Sequence, residues 1–194
     1  MRSVCAAIML ISTFACLSAH AQGARLGEYV SVQGHPKAKG VNFKIKPPLG
    51  WDVEEGNRPN VVKKFTAGDF AYVIMIKDNI TFLSRREVRE VLADESTVQE
   101  ILSGLLSTPA LVDGVIMSHK VVTVDTYPAL SVRIRGTGSS VGRSFTLMSN
   151  FWMIFYEDKV VSLMASSPSS SWSNRLDLLF TTVTASVVFP EQYD

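Results

Sequence analysis

The chain has 194 residues, 46% of them hydrophobic, and its 19 basic and 18 acidic side chains give a formal net charge of +1. So balanced a charge supplies no basic excess to displace counterions, which argues against nucleic acid and against anionic membrane surfaces as partners. Cys5 and Cys16 are the only cysteines, so the sequence beyond them offers no disulfide, thiolate metal site or cysteine nucleophile.

The N-terminus reads as an export signal. Arg2 is the only charge before Arg25, residues 4–17 are largely apolar, and Ala19-His20-Ala21 is a small-x-small pattern of the kind signal peptidase accepts. Residues 1–21 are expected to be a signal peptide, with Ala19 and Ala21 marking the cleavage site, although the sequence leaves open whether it is removed or retained. The apolar stretch is shorter than the ~20 residues a membrane span needs, and Phe14 makes a poor neighbour for a lipidated Cys16. Removing 21 of 194 residues leaves 173, which suits one domain at the usual ~100–200 residues. Removing Arg2 leaves 18 basic and 18 acidic residues. The expected location is periplasmic or secreted, with no integral membrane segment in the mature chain.

Residues 22–40 are polar, contain glycine and lack sustained periodicity, so they read as a flexible N-terminal arm ahead of a single domain over 41–190. Val41, Phe43 and Ile45 alternate with polar residues, as in a half-buried strand, and Pro47-Pro48-Leu49-Gly50 ends it. The chain continues extended through Trp51. Asp52, Glu54 and Glu55 read as a solvated turn, since they lack the ligand spacing of a calcium loop. A further strand is expected over 61–65. Residues 70–77 are apolar on both faces and predict a central strand covered on each side.

The period then changes. Ser84 and Glu87 fit a capping box, and Val88, Val91 and Leu92 follow at helical spacing. Ser96 and Gln99 suggest a second box before Val98, Ile101, Leu102, Leu105 and Leu106, with a break near Asp94 and Pro109 closing the unit. A β-meander follows over 115–124, 127–135, 142–156 and 159–166, turning at Asp125-Thr126 and at Glu157-Asp158. A serine-rich loop over 166–171 leads to a final helix, where Leu176, Leu179, Phe180, Val183 and Val187 form an apolar stripe. The order predicts an α+β fold, a largely antiparallel sheet packed between helices.

Three stretches carry a family resemblance: the run from Phe43 through Pro47, Gly50 and Trp51, the apolar strand 72–76, and the closing run 151–165 with a helix ending in Ala185-Ser186-Val187-Val188-Phe189. Together they resemble the PsbP-like fold, in particular the bacterial DcrB-like exported proteins, over roughly residues 41–190. That resemblance implies an αβα sandwich with a binding or accessory role, and it supplies no active-site residues.

Gly138-Ser139-Ser140-Val141-Gly142 matches the G-x-S-x-G nucleophile elbow, which requires a strand turning into a helix. Its flanks alternate like strands, so a hairpin loop is the favoured reading. His35 lies in the arm and His119 on a strand face, where a lone histidine is more often packed than catalytic; an acid such as Asp113 or Asp125 would have to meet His119. Arg133, Arg135 and Arg143 read as solubilising charges. No catalytic, cofactor-binding or metal residue is assigned, and no cofactor is expected. The late strands are unusually rich in Met148, Phe151, Trp152, Met153, Phe155 and Met164, which are buried under helices or, on the sharper reading, left open as an apolar binding surface. The leading expectation is a non-enzymatic exported binding or accessory protein for an apolar peptide, protein surface or lipid. The alternatives are a serine hydrolase using Ser140 and a structural envelope component that dimerises through a sheet edge.

Overall fold

The computed structural model describes residues 25–107, 113–140 and 143–193. The expected signal peptide with Ala19 and Ala21, together with Pro109, Val141 and Gly142, lies outside the described residues. Among the described residues, eight strands and three α-helices follow in chain order: β1 (Val30–Ser31), β2 (Lys44–Ile45), β3 (Asp52–Glu55), β4 (Val61–Ala67), β5 (Phe70–Leu83), α1 (Arg85–Ala93), α2 (Glu95–Leu106), β6 (Val115–Val124), β7 (Tyr127–Ser140), β8 (Arg143–Pro168) and α3 (Asn174–Ala185). β1 and β2 pair with each other, and the remaining strands form one antiparallel sheet in the order β3-β4-β5-β8-β7-β6.

β8 doubles back on itself. Its residues up to Ile154 pair with β7, and those from Glu157 onward pair with β5. Tyr72 lies opposite Ala165, yet its ring centroid is 6.3 Å from that of Trp152. A straight strand would hold Ala165 and Trp152 about 43 Å apart at ~3.3 Å per residue. Glu157, at φ 53°, is the point of reversal, where the sequence places a turn with Asp158. A matching reversal occurs at Asp125, φ 54°.

The alternation of side chains sorts the apolar residues onto two faces. Tyr72, Ile74, Ile76, Trp152, Ile154, Val161 and Leu163 face α3, whose Leu176, Phe180 and Val183 complete that core with Phe43, Ile45 and Phe189. Leu130, Val132, Ile134, Phe151, Met153 and Phe155 face α1 and α2, meeting Val88, Leu92, Val98 and Leu102. The result is the helix–sheet–helix sandwich that the element order predicts.

Several local expectations are corrected. Residues 25–40 are packed, not a loose arm: Val32 and Ala38 are buried in the core, β1 pairs with β2, and Gly27 N–H donates to Pro47 O while Leu49 N–H donates to Arg25 O. Isolated apolar residues anchor this segment, so no period announces it. Asp52, Glu54 and Glu55 belong to a strand, held by cross-strand ion pairs of Glu54 with Lys64 (2.7 Å) and Glu55 with Lys63. α2 starts earlier than Ser96, because Asp94 caps it, accepting from Ser96 N–H at 3.2 Å and from the Ser96 and Thr97 hydroxyls. β7 runs on to Ser140 and pairs with β8 from Arg143, so residues 136–140, expected in a loop, are strand. β8 likewise runs through Ser166 and Ser167, both buried.

Candidate functional site

The helical layer over the second sheet face is lopsided. α1 and α2 cover β7 and one arm of β8, while the same face of β4 and β5 is left partly open. The expectation that β5 is covered on both sides fails here: Tyr72, Ile74 and Ile76 are fully buried, but Val73 and Met75, pointing the other way, are only half-buried. Between this face and the C-terminal half of α2 lies a cleft of about 660 Å³, within the ~300–1,000 Å³ typical of ligand pockets. Its floor is Val73, Met75, Phe151, Met153, Val160 and Met164, and its α2 wall is Ile101, Gly104 and Leu105.

Of the six residues predicted as an apolar surface, the structure brings three together here: Phe151, Met153 and Met164. Phe155 is buried beneath the helices on the same face without lining the cleft. Trp152 is on the opposite face, buried against Tyr72, and Met148 lies outside the cleft. The alternation along β8 forces this split, since adjacent residues of a strand cannot share a face. Sequence reasoning missed Met75, Val160 and the α2 wall, because their convergence depends on β8 folding back beside β5.

One feature of the wall is visible in the sequence but readable only in space. Gly104 sits inside α2, where glycine costs about 1 kcal/mol relative to alanine. Neither steric crowding nor backbone conformation requires it: an added Cβ would meet nothing within 4 Å, and its φ is not positive. Its lack of a side chain leaves the cleft open.

The mouth of the cleft is polar and carries Asn57, Arg58, Lys64, Lys77 and Asp78. Lys64 is paired with Glu54 at 2.7 Å. The Lys39 ammonium, aided by Lys159, holds the Asp78 carboxyl below its ordinary range.

A second cleft, of about 610 Å³, lies between α3 and the β6–β7 edge and is lined mostly by polar residue types. Its central charged pair is already engaged. Asp177 binds Arg133 and accepts from Asn150 Nδ2 at 2.8 Å, and Arg133 Nε donates to Asn150 Oδ1 at 3.0 Å. Arg133 also lies over the Trp172 ring at 5.8 Å, so it is a structural cross-link and not a solubilising charge.

The histidine and serine candidates do not assemble into a site. His119 Nε2 is 3.6 Å from Glu95 of α2, not beside Asp113 or Asp125. Asp125 instead accepts from Phe189 N–H and binds the Tyr193 hydroxyl. Ser140 is far along β7 from Val132, the partner of His119, roughly 26 Å away at ~3.3 Å per residue. The flanks of Ser140 are two paired strands, so the strand-to-helix elbow is not formed. His35 Nδ1 accepts from Lys37 N–H at 3.1 Å, which leaves its proton on Nε2 to face Glu55 at 2.9 Å. Among the described residues, no three His, Cys, Asp or Glu side chains converge as metal ligands.

No protein-family model matches the chain, and no curated protein matches its sequence. Its architecture does have solved counterparts. The cyanobacterial PsbP (CyanoP) of Synechocystis sp. PCC 6803 superposes with a TM-score of 0.51 at 16% identity, covering 86% of this chain and 93% of its own. The fold is PsbP-like. LpqN of Mycobacterium tuberculosis, described as involved in cell envelope biogenesis, gives 0.50 at 15% identity over 83% of this chain and 90% of its own. A protein of Bacteroides thetaiotaomicron VPI-5482 gives 0.46 at 12% identity, and this chain spans 44% of that protein's length. At such identities the likeness concerns architecture alone. Among the described residues, no helix is long and apolar enough to cross a membrane.

Proposed function

We propose that this PsbP-like chain is an exported, non-enzymatic accessory protein of the cell envelope that binds an apolar ligand in the cleft between α2 and the β4–β5–β8 face. The observation that carries the reading is the unforced Gly104 above a floor of Met75, Met153, Met164 and Phe151. Thioether side chains repack around varied apolar shapes at low cost, and a helix that gives up stability to keep a cleft open fits binding better than scaffolding. The expected leader ending at Ala21, the DcrB-like resemblance and the involvement of LpqN in cell envelope biogenesis support the location.

Methyl-labelled methionine NMR tests the reading. Titration with apolar ligands is expected to shift the Met75, Met153 and Met164 methyls and leave Met117 and Met148 in place. Equal shifts at all five, or none, would remove the cleft as the site.

A second reading has its own observation. β6 is the outer strand at one end of the sheet, and Val115, Met117 and Val121 on it are about half exposed. Unpaired apolar edges of this kind recruit further strands, which suits a structural component that self-associates. Sedimentation across a concentration series distinguishes it, because only edge pairing makes the mass rise with concentration.

A further inference from the structure

Resting on that reading, we propose that the ligand is a single alkyl chain with an anionic head, bound with its head at Arg58 and Lys77 and its tail along Met75, Val160 and Met164 toward Phe151 and Met153. The cleft is polarised from one end to the other. Ile76 N–H donates to Asn60 O at 2.9 Å, which ties the Arg58 turn beside β5 at the level of Lys77. Lys77 is two residues from Met75 on the same strand, and both line the cleft.

Charge decides the head group. Among the described residues, the side chains of Arg58 and Lys77 enter no ion pair, whereas the other charged groups of the mouth are engaged: Lys64 with Glu54, and Asp78 with Lys39 and Lys159. Two uncompensated cations at one end match a carboxylate or a phosphate, and they repel a cationic amphiphile.

Backbone chemistry decides the tail. Beyond the mouth, the only side-chain polar group lining the cleft is the Ser162 hydroxyl. An extended peptide would bring amide N–H and C=O groups that this lining leaves unpaired, and each such buried group opposes binding. A helix satisfies its own amides, but at about 10 Å across it would fill 660 Å³ in about one and a half turns. An alkyl chain has no such groups and is narrow enough to enter.

Calorimetry with the purified protein tests this, using palmitate, hexadecyl phosphate, hexadecanol and hexadecyltrimethylammonium below their micellar concentrations. The two acids are expected to bind at least about tenfold more tightly than the cationic analogue, and whichever acid binds better identifies the head group. In a protein carrying Arg58→Ala and Lys77→Ala, both exposed positions that folding tolerates, the acids are expected to lose about tenfold or more in affinity while hexadecanol is unaffected. Equal binding of all four probes, or no effect of the double substitution, overturns the amphiphile assignment and leaves the apolar-ligand reading standing. If no probe binds and no apolar ligand moves the cleft methionine methyls, both fall.

Discussion

Tyr72 of β5 and Thr184 of α3 share a hydroxyl–hydroxyl hydrogen bond of 2.7 Å at the centre of the first core. Thr184 Oγ1 donates its only proton to Phe180 O at 3.1 Å, so Tyr72 is the donor. This bond ties the C-terminal helix to the strand whose other face floors the cleft.

The direction of that bond makes its two ends unequal. Tyr72→Phe removes a donor and leaves Thr184 still bonded to Phe180, so it is expected to cost about 1 kcal/mol. Thr184→Val leaves the Tyr72 hydroxyl buried without an acceptor and is expected to cost about 1–3 kcal/mol. The double variant should cost less than the two single costs added together. Urea denaturation measures all three, and strict additivity would contradict the bond.

Burial raises the Tyr72 ionisation well above its unfolded value of 10.0. Because the folded state favours the protonated form, the associated stability is complete below pH 10 and is lost as the pH climbs beyond it. Alkaline unfolding should therefore steepen above pH 10, and Tyr72→Phe should lessen that slope. An unchanged slope would assign the alkaline transition elsewhere, for instance to Tyr156, whose ionisation is also raised by burial.

Acid is expected to act on the opposite layer. Glu87 and Asp94 both titrate below their ordinary values of 4.5 and 3.8, Glu87 through its bonds with Ser84 and Asp94 first through the Thr97 hydroxyl. Groups depressed in the fold stabilise it above the unfolded values, and the contribution disappears as the pH falls through about 4 and below. Amide exchange should show the starts of α1 and α2 fraying there ahead of α3. Asp94→Asn keeps a good cap without the titration, so α2 should lose its acid sensitivity in that variant.

Asp177 holds two donors at once, Arg133 and Asn150, and Asn150 is buried. Arg133 and Asp177 are each about a third exposed, so solvent screens the ion pair and the cost of Asp177→Ala comes mainly from the stranded Asn150 amide, about 1–2 kcal/mol. Asn150→Ala combined with Asp177→Ala should recover part of it in the same denaturation assay.

The scaffold was legible wherever a local pattern carried it. The Ser84–Glu87 box forms with both its bonds, and the reversals at Asp125 and Glu157 fall where the alternation of strand residues restarts. Val32 and Ala38 were not legible, because single apolar residues in a polar segment make no period. The cleft was half legible: methionine enrichment pointed to Met153 and Met164, but Met75 and Ile74 look alike in sequence, and only the partial cover by α2 makes one half-open and the other fully buried. Gly104 reads as an ordinary weak point of a helix until its surroundings are known.

Gly104→Leu tests the central claim most directly. Leucine favours the helix by roughly 1 kcal/mol over glycine, and the open space at the Cβ position spares it a clash, so Tm is expected to rise by about 2–4 °C. The same side chain would project from the α2 wall into the cleft, so binding of an apolar ligand, read by methionine methyl shifts, is expected to vanish. A variant that gains stability and still binds as tightly as the parent would contradict the account.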